Sequence, residues 1–283
     1  ATRILEITGT DRYEYLTYEV TDRPKPTSLQ IGVREKTHGP PFLMLGLDLG
    51  NIDSSNFAVN MLGRVLQYGL LGVGSETRLD FALGTNQRLA GEFVKPLGDN
   101  PVFVAGRAYF DRRGRNLYSD DVFVAEYRIT RLGLGADIGT DIGRDAEIRL
   151  GYDITDFTGR RRVGSPDLPE VDGTEEFLHL DVFVDTQTSP LVPTRGFRLR
   201  SALRQFFSAP TASGPIDGVI PPSPQSFTSG EVRTSWFTRV RNRDDRVFLI
   251  GEGGTSFGAH PLVDNFALGG PLRIGSVNTD QLR

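Results

Sequence analysis

The side chains in this sequence that could do chemistry are arginines and carboxylates, set two residues apart along alternating stretches. Arg107, Arg149, Arg198, Arg200, Arg204, Arg233 and Arg239 recur with Asp80, Glu92, Glu147, Asp181, Glu231 and Glu252 opposite apolar neighbours. Catalysis needs a constellation, and the usual ones are missing. His38, His179 and His260 are the only histidines, far apart in sequence and without a cysteine to join them, so no zinc site or other metal site is expected. His179 is expected to point into a polar interior. No G-x-S-x-G elbow occurs, and Gly74-Ser75 and Gly275-Ser276 read as turn residues. Glu252-Gly253-Gly254-Thr255 has the glycines of a phosphate loop but no lysine. No cofactor is expected.

Two readings of the arginine and carboxylate set stay open. One is mutual salt bridging that fills and stiffens a wet interior, with Arg107, Arg149, Asp181, Arg198, Arg200, Arg233 and Glu252 as the wall charges. The other is a selective or conductive path. Arg273 differs, because it lies in the apolar, glycine-rich stretch 266–283, reading FALGGPLRIGSVNTDQLR. Backbone without ladder partners needs other groups to satisfy it. This stretch is therefore expected to be a sheltered loop, and two readings of Arg273 stay open: a loop cation exposed to water, or a plug residue anchored to a wall carboxylate.

These charges must be positioned by strands. Leu43, Leu45, Leu47 and Leu49 share one face, and Phe57, Val59, Met61 and Val65 oppose Asn60 and Arg64. Leu79, Phe81 and Leu83 oppose Arg78 and Asp80; Leu89 and Phe93 oppose Arg88 and Glu92; Val102, Val104, Ala108 and Phe110 oppose Arg107 and Asp111. Ala146, Ile148, Leu150, Tyr152 and Ile154 oppose Glu147, Arg149 and Asp153, the cleanest alternation in the chain. Further strands carry Leu178 to Val184, Phe197 to Leu203, Val232 to Val240 and Val247 to Gly251. In the stretch between Phe123 and Ile138 the apolar parity changes near Ile129, which is expected to mark a bulge in one long strand. Short turns are expected at 84–86 and 96–100, and polar loops at 112–121, 155–174 and 208–226.

About eleven strands result, several near the ten or so residues that a tilted membrane strand needs. No run of about eighteen apolar residues exists, which excludes a spanning helix but not a barrel. A mean hydropathy of −0.26 suits alternating strands. The 33 glycines and 18 phenylalanines agree. With 32 Lys+Arg against 36 Asp+Glu, no basic surface points to nucleic acid. The fold expected is all-β, an antiparallel transmembrane β-barrel over 39–283. A partial α+β piece precedes it over 1–38, with a helix-like start at Ile4, Leu5 and Ile7 and a hairpin from Leu16, Tyr18 and Val20 to Leu29, Ile31 and Val33. A soluble β-sheet binding protein is the rival from pattern alone.

Three stretches carry a family resemblance. Glu35-Lys36-x-x-Gly39-Pro40-Pro41 before FLMLGLDL resembles the step from the last periplasmic POTRA module into the first strand of bacterial surface-antigen barrels. The turn 185–196, with Pro193, Thr194, Arg195 and Gly196, is similar to a periplasmic turn of that superfamily. Leu268-Gly269-Gly270-Pro271-Leu272-Arg273-Ile274-Gly275-Ser276, with Asp280-Gln281-Leu282 after it, resembles its sixth extracellular loop. The family follows this arginine with a glycine and an aromatic residue, whereas Ile274-Gly275-Ser276-Val277 stands here.

More narrowly, the wording is similar to the C-terminal half of patatin-like phospholipases secreted as type Vd autotransporters, within the BamA/TamA superfamily. The resemblance implies a barrel of about sixteen strands, of which about eleven fall in this sequence. It also implies half a POTRA module before it, in the periplasm, and a bacterial outer-membrane location. The sequence begins at Ala1 and is expected to be part of a longer chain. The implied role is a translocator and anchor that secretes or displays an N-terminal patatin-like hydrolase and has no enzymatic activity of its own. Its implied partners are outer-membrane lipids, that passenger domain and the outer-membrane assembly machinery. The alternative is a BamA/TamA-like insertase or a two-partner secretion pore without a hydrolase.

Overall fold

Alternating residues put one side chain on each face of a pleated strand, so the sequence pattern translates directly into a sheet with two unlike surfaces. The computed structural model describes residues 13–21, 28–35, 40–51, 57–98, 100–119, 122–189, 192–213, 226–240 and 245–257. Every regular element among them is a strand. At the N-terminal end β1 (Tyr13–Thr21) pairs antiparallel with β2 (Ser28–Glu35) in a separate two-stranded sheet. Leu16 faces Val33, Tyr18 faces Ile31 and Val20 faces Leu29, as the alternation predicts.

The main sheet runs β3 (Phe42–Asn51), β4 (Phe57–Tyr68), β5 (Glu76–Gly84), β6 (Gln87–Pro96), β7 (Val102–Ser119), β8 (Val122–Ile142), β9 (Ala146–Val163), β10 (Glu170–Asp185), β11 (Gly196–Ser208), β13 (Phe227–Arg239) and β14 (Arg246–Thr255). Each pairs antiparallel with the next, and β3 and β14 are its two described edges. The short β12 (Thr211–Ser213) pairs with the first residues of β10, beyond the end of β11. These eleven consecutive strands are the eleven expected from the alternation. They form an open, barrel-like antiparallel wall.

Strand length is uneven, and this corrects two expectations. The polar stretches 112–121 and 155–174 are mostly strand: β7 continues to Ser119, β9 to Val163, and β10 begins at Glu170. The short turns after Gly84 and after Pro96 lie at opposite ends of the wall. The parity change near Ile129 also has a different origin. β8 is one strand of 21 residues, as expected, but its irregularity against β9 falls between Glu126 and Tyr127. Ala125, Tyr127, Ile129, Arg131 and Asp137 all lie on the same buried face. What changes along β8 is the chemistry of each face. The register is unbroken there.

The same exchange occurs on β9. Its outward residues are Ile148, Leu150, Tyr152 and Ile154, then Asp156, Thr158, Arg160 and Arg162; its inward residues are Glu147, Arg149, Asp153 and Thr155, then Phe157. An outward apolar belt of about nine to eleven residues per strand is what a tilted membrane strand needs. Above it the strand enters an aqueous layer, so the outward face turns polar. The inward face there is apolar, with Ile129, Phe157 and Val171 packed together, and Phe206, Ala209 and Phe227 packed with Phe177. Phe206 and Phe227 stack at 4.4 Å. Lower down the outward leucines are open, with Leu47 at 74% and Leu132 at 61% exposed, a surface suited to lipid.

The β3 strand follows Pro40 and Pro41, joined by a cis bond. Glu35 closes β2, whereas Lys36 and Gly39 of the junction lie outside the described residues, as do the helix-like start and the whole of 258–283. The expected loop residues Gly269, Gly270, Arg273 and Gly275 therefore lie outside them too.

Candidate functional site

The inner wall carries a band of charge, and strand register decides which charges meet. Arg107 on β7 faces Gly135 of β8, which in turn faces Asp153 of β9; Asp137 faces Gly151, which faces His179 of β10. Large polar side chains thus lie over glycines of the neighbouring strand. The Arg107 guanidinium donates from Nε to Asp153 Oδ1 at 3.0 Å, from Nη2 to the second oxygen of Asp153 and from Nη1 to Asp137 Oδ2. His179 Nε2 lies 3.1 Å from Asp137 Oδ1, 3.2 Å from Asp153 Oδ2 and 2.7 Å from Arg107 Nη2. Its Nδ1 is 2.8 Å from Asp181 Oδ2. Asp137, Asp153 and His179 are nearly fully buried.

Arg149 extends the cluster sideways. It donates to Glu147 Oε1 at 2.6 Å and to Glu92 Oε1 at 2.7 Å, approaches Asp137 at 3.9 Å and lies 5.1 Å above the Phe103 ring. Arg78 reaches Glu92 at 3.2 Å, and Arg64 holds Asp80 through two hydrogen bonds of 2.5 and 2.8 Å. One turn of the pleat higher, Arg131 and Glu175 form a buried two-point pair with both contacts at 3.1 Å, and Arg131 lies 5.1 Å from the Phe157 ring centre. Tyr109 and Thr155 share a hydrogen bond of 2.7 Å beside it.

Glycine makes this layer possible. A Cβ on Gly135 would lie 2.7 Å from Arg107 Nε and closer still to Asp153; on Gly151 it would overlap the Asp137 carboxylate and the His179 ring; on Gly133 and Gly139 it would enter the rings of Tyr109 and Phe103. Leu132, Leu134, Ala136 and Ile138 fill the alternate positions of β8 and face outward. The run LGLGADIG is thus a lipid-facing ridge backed by a bare inner lane.

Of the wall charges expected from sequence, Arg107, Arg149 and Asp181 come together in this cluster. Arg198, Arg200, Arg233 and Glu252 share its face but sit on β11, β13 and β14 in smaller groups. Arg198 pairs with Asp185 at 2.7 Å, Arg233 with Glu252 at 3.4 Å, and Arg200 lies 5.2 Å from the Phe183 ring centre while facing Arg233 across the ladder. Arg204 approaches Glu231 at 3.7 Å. His179 is inward, as expected. Asp137, Arg131 and Glu175 are not singled out by the sequence pattern. The signal that could find Asp137 is the spacing of Gly133, Gly135 and Gly139, whose shared face with it only a glycine-tolerant inner wall explains.

Chemically the charges of the cluster are matched within it, although Asp137 Oδ1 and His179 Nδ1 make close ion-pair contacts without well-formed hydrogen bonds. Buried charge is costly unless it is paired and hydrogen-bonded, and here each central carboxylate meets a guanidinium or the imidazole. Arg107 occupies the centre that a cation would otherwise take, and among the described residues no group of His, Asp and Glu is arranged to hold a metal ion.

A family model described as the Omp85 superfamily domain matches residues 70–277, from the turn before β5 onward. The chain belongs to the Omp85 superfamily. A solved structure of BamA from Haemophilus ducreyi lacking POTRA domains 1-3 superposes with a TM-score of 0.60 at 13% identity, covering 94% of this chain and 51% of that one. At that identity the likeness concerns the fold: an outer-membrane β-barrel, of which this Omp85 chain spans about half the length of its structural neighbour. No curated protein matches the chain. In Omp85 terms the charged band is the luminal face of the wall, and the apolar belt is its lipid face.

Proposed function

We propose that this chain is the barrel portion of an outer-membrane machine of the BamA/TamA kind, which inserts or passes other polypeptides, and that the segment has no enzymatic activity of its own. The observation that carries this reading is the family match over 70–277, together with the likeness to the BamA fold across 94% of the chain. The self-paired luminal charges suit a load-bearing wall. Charges committed to neighbours across β6 to β10 brace these strands against one another.

The second reading keeps the same barrel as the translocator and surface anchor of a patatin-like hydrolase joined to its N-terminus. It is favoured by the wording of the 185–196 turn and of the stretch 268–276. The two readings diverge in the living cell. Depletion of the full-length protein should lower the heat-modifiable folded fraction of unrelated outer-membrane barrels if it is an insertase. Unchanged levels of those barrels, with loss of a single surface lipid-hydrolase activity, would reject the insertase reading and select the passenger reading. Recovery of the full-length protein as a soluble monomer without detergent would sink both.

A further inference from the structure

At the step where the wall changes height, beside the edge of β7 beyond the end of β6, a cleft of about 380 Å³ opens, lined mostly from the outward face and also by Gly84 and Arg113. Its lining includes Gln87, Arg112, Asn116, Glu126, Arg128 and Arg162. Register builds it. The pairing of β6 with β7 ends where Gln87 faces Arg112, while β7 continues upward to Ser119 against β8. Gly114 faces Arg128, and Asn116 faces Glu126, so the floor of the cleft is nearly bare and the cations stand around it.

The charges here are not closed on themselves. Arg162 donates to Glu126 at 2.9 Å, and neighbouring Arg160 is held by Glu170 and, at 3.0 Å, by Asp172. Among the described residues no hydrogen bond or ion pair engages the side chain of Arg112 or Arg128. The Nε of Arg112 is buried without an acceptor. Leaving a buried guanidinium N–H unmade is unfavourable, and the Arg112 and Arg128 side chains also lack the carboxylate that Arg107, Arg131 and Arg149 each have on the inner wall. The cleft volume is in the range of ligand sites, about 300–1,000 Å³.

Height identifies the ligand. Phe110 and Leu132 face each other at the upper edge of the apolar belt, and Arg112 and Thr130 are the next outward pair above them, with Arg128 one pair higher. These donors stand where lipid headgroups lie. Arginine forks recognise phosphate in two-point geometry, and basic pockets at this depth take headgroups. The carboxylate of Glu126 and the amides of Gln87 and Asn116 suit sugar hydroxyls, whereas a carboxylate opposes a bare anion.

We propose that this cleft binds a phosphate carried on the sugar headgroup of an outer-leaflet glycolipid, clamped by Arg112 and Arg128. The proposal rests on the family reading that β3 starts from the periplasmic side, which puts the upper ends of β7 to β9 at the cell surface. The test uses the full-length protein purified in detergent, mixed with diphosphorylated lipid A and weighed by native mass spectrometry. The wild type should retain lipid A, and Arg112→Gln with Arg128→Gln should weaken retention by about tenfold or more while heat-modifiable migration stays unchanged. The wild type alone also decides: equal retention of dephosphorylated lipid A, or of phosphatidylglycerol, would overturn the assignment, as would displacement by equimolar inorganic phosphate. None of these outcomes bears on whether the barrel inserts or secretes polypeptides, so the two readings fail separately.

Discussion

Asp137 of β8 faces Gly151 of β9, and the space that a side chain at Gly151 would fill holds the Asp137 carboxylate and the His179 imidazole. The charged layer is therefore built on absent atoms as much as on present ones. Gly151→Ala should cost about 1–3 kcal/mol through overpacking, and Gly135→Ala a similar amount. Gly106→Ala is the control, since nothing lies within 4 Å of its added Cβ. Urea titration of the barrel refolded in detergent, followed by heat-modifiable migration, measures all three; equal stability of Gly151→Ala and Gly106→Ala would refute the role of the lane.

The belt boundary can be located by charge. Leu150 and Thr158 lie on the same face of β9, eight residues apart, one inside the apolar belt and one above it. Leu150→Arg should destabilise the folded barrel by about 2–4 kcal/mol, the cost of a cation near the bilayer midplane. Thr158→Arg should stay within about 0.5 kcal/mol of wild type. The same folding titration in lipid vesicles reads both.

Arg131 and Glu175 test whether the buried pair is valued for strength or for completeness. Removing one partner, as in Arg131→Met, leaves a buried carboxylate and should cost about 3–5 kcal/mol. Arg131→Met combined with Glu175→Leu should recover most of that loss, because Phe157 already supplies an apolar neighbour. A double-mutant cycle in which the losses simply add would contradict the pairing.

The upper inner face should behave as an ordinary aromatic core. Phe206 is almost fully buried between Phe177 and Phe227. Phe206→Ala should cost about 3–5 kcal/mol, and Phe207→Ala, on the opposite face and exposed, far less. Proteolysis of the folded barrel at the upper loops should accelerate in the first variant only.

Much of this architecture is legible in the amino-acid sequence. Period-2 alternation locates all eleven consecutive strands and most of the inward charges, since a wall between lipid and water imposes opposite chemistry on alternate residues. The rule fails where the wall leaves the membrane. Above Ile154 and Arg131 the outward side chains meet water and the inward ones meet each other. Polar stretches such as 112–121 then imitate loops, and Ile129 imitates a slip in register. Asp137 is hidden for the same reason, being flanked by a parity that looks broken. The partnership of Arg131 with Glu175 spans 44 residues, and only the pairing of β8, β9 and β10 brings them together.

The bare lane of β8 also has the form of a keyway. Arg131 and Asp137 are the teeth, and Gly133, Gly135 and Gly139 are the slots that receive Tyr109, Arg107 and Phe103 from β7. Sliding β7 by two residues would leave every side chain on its own face and every leucine in lipid, yet move Arg107 off Gly135 and set Phe103 over Asp137 or Asp141. A two-residue slip would thus misfit by shape inside the wall, a check that the alternation of lipid-facing and inward residues does not supply.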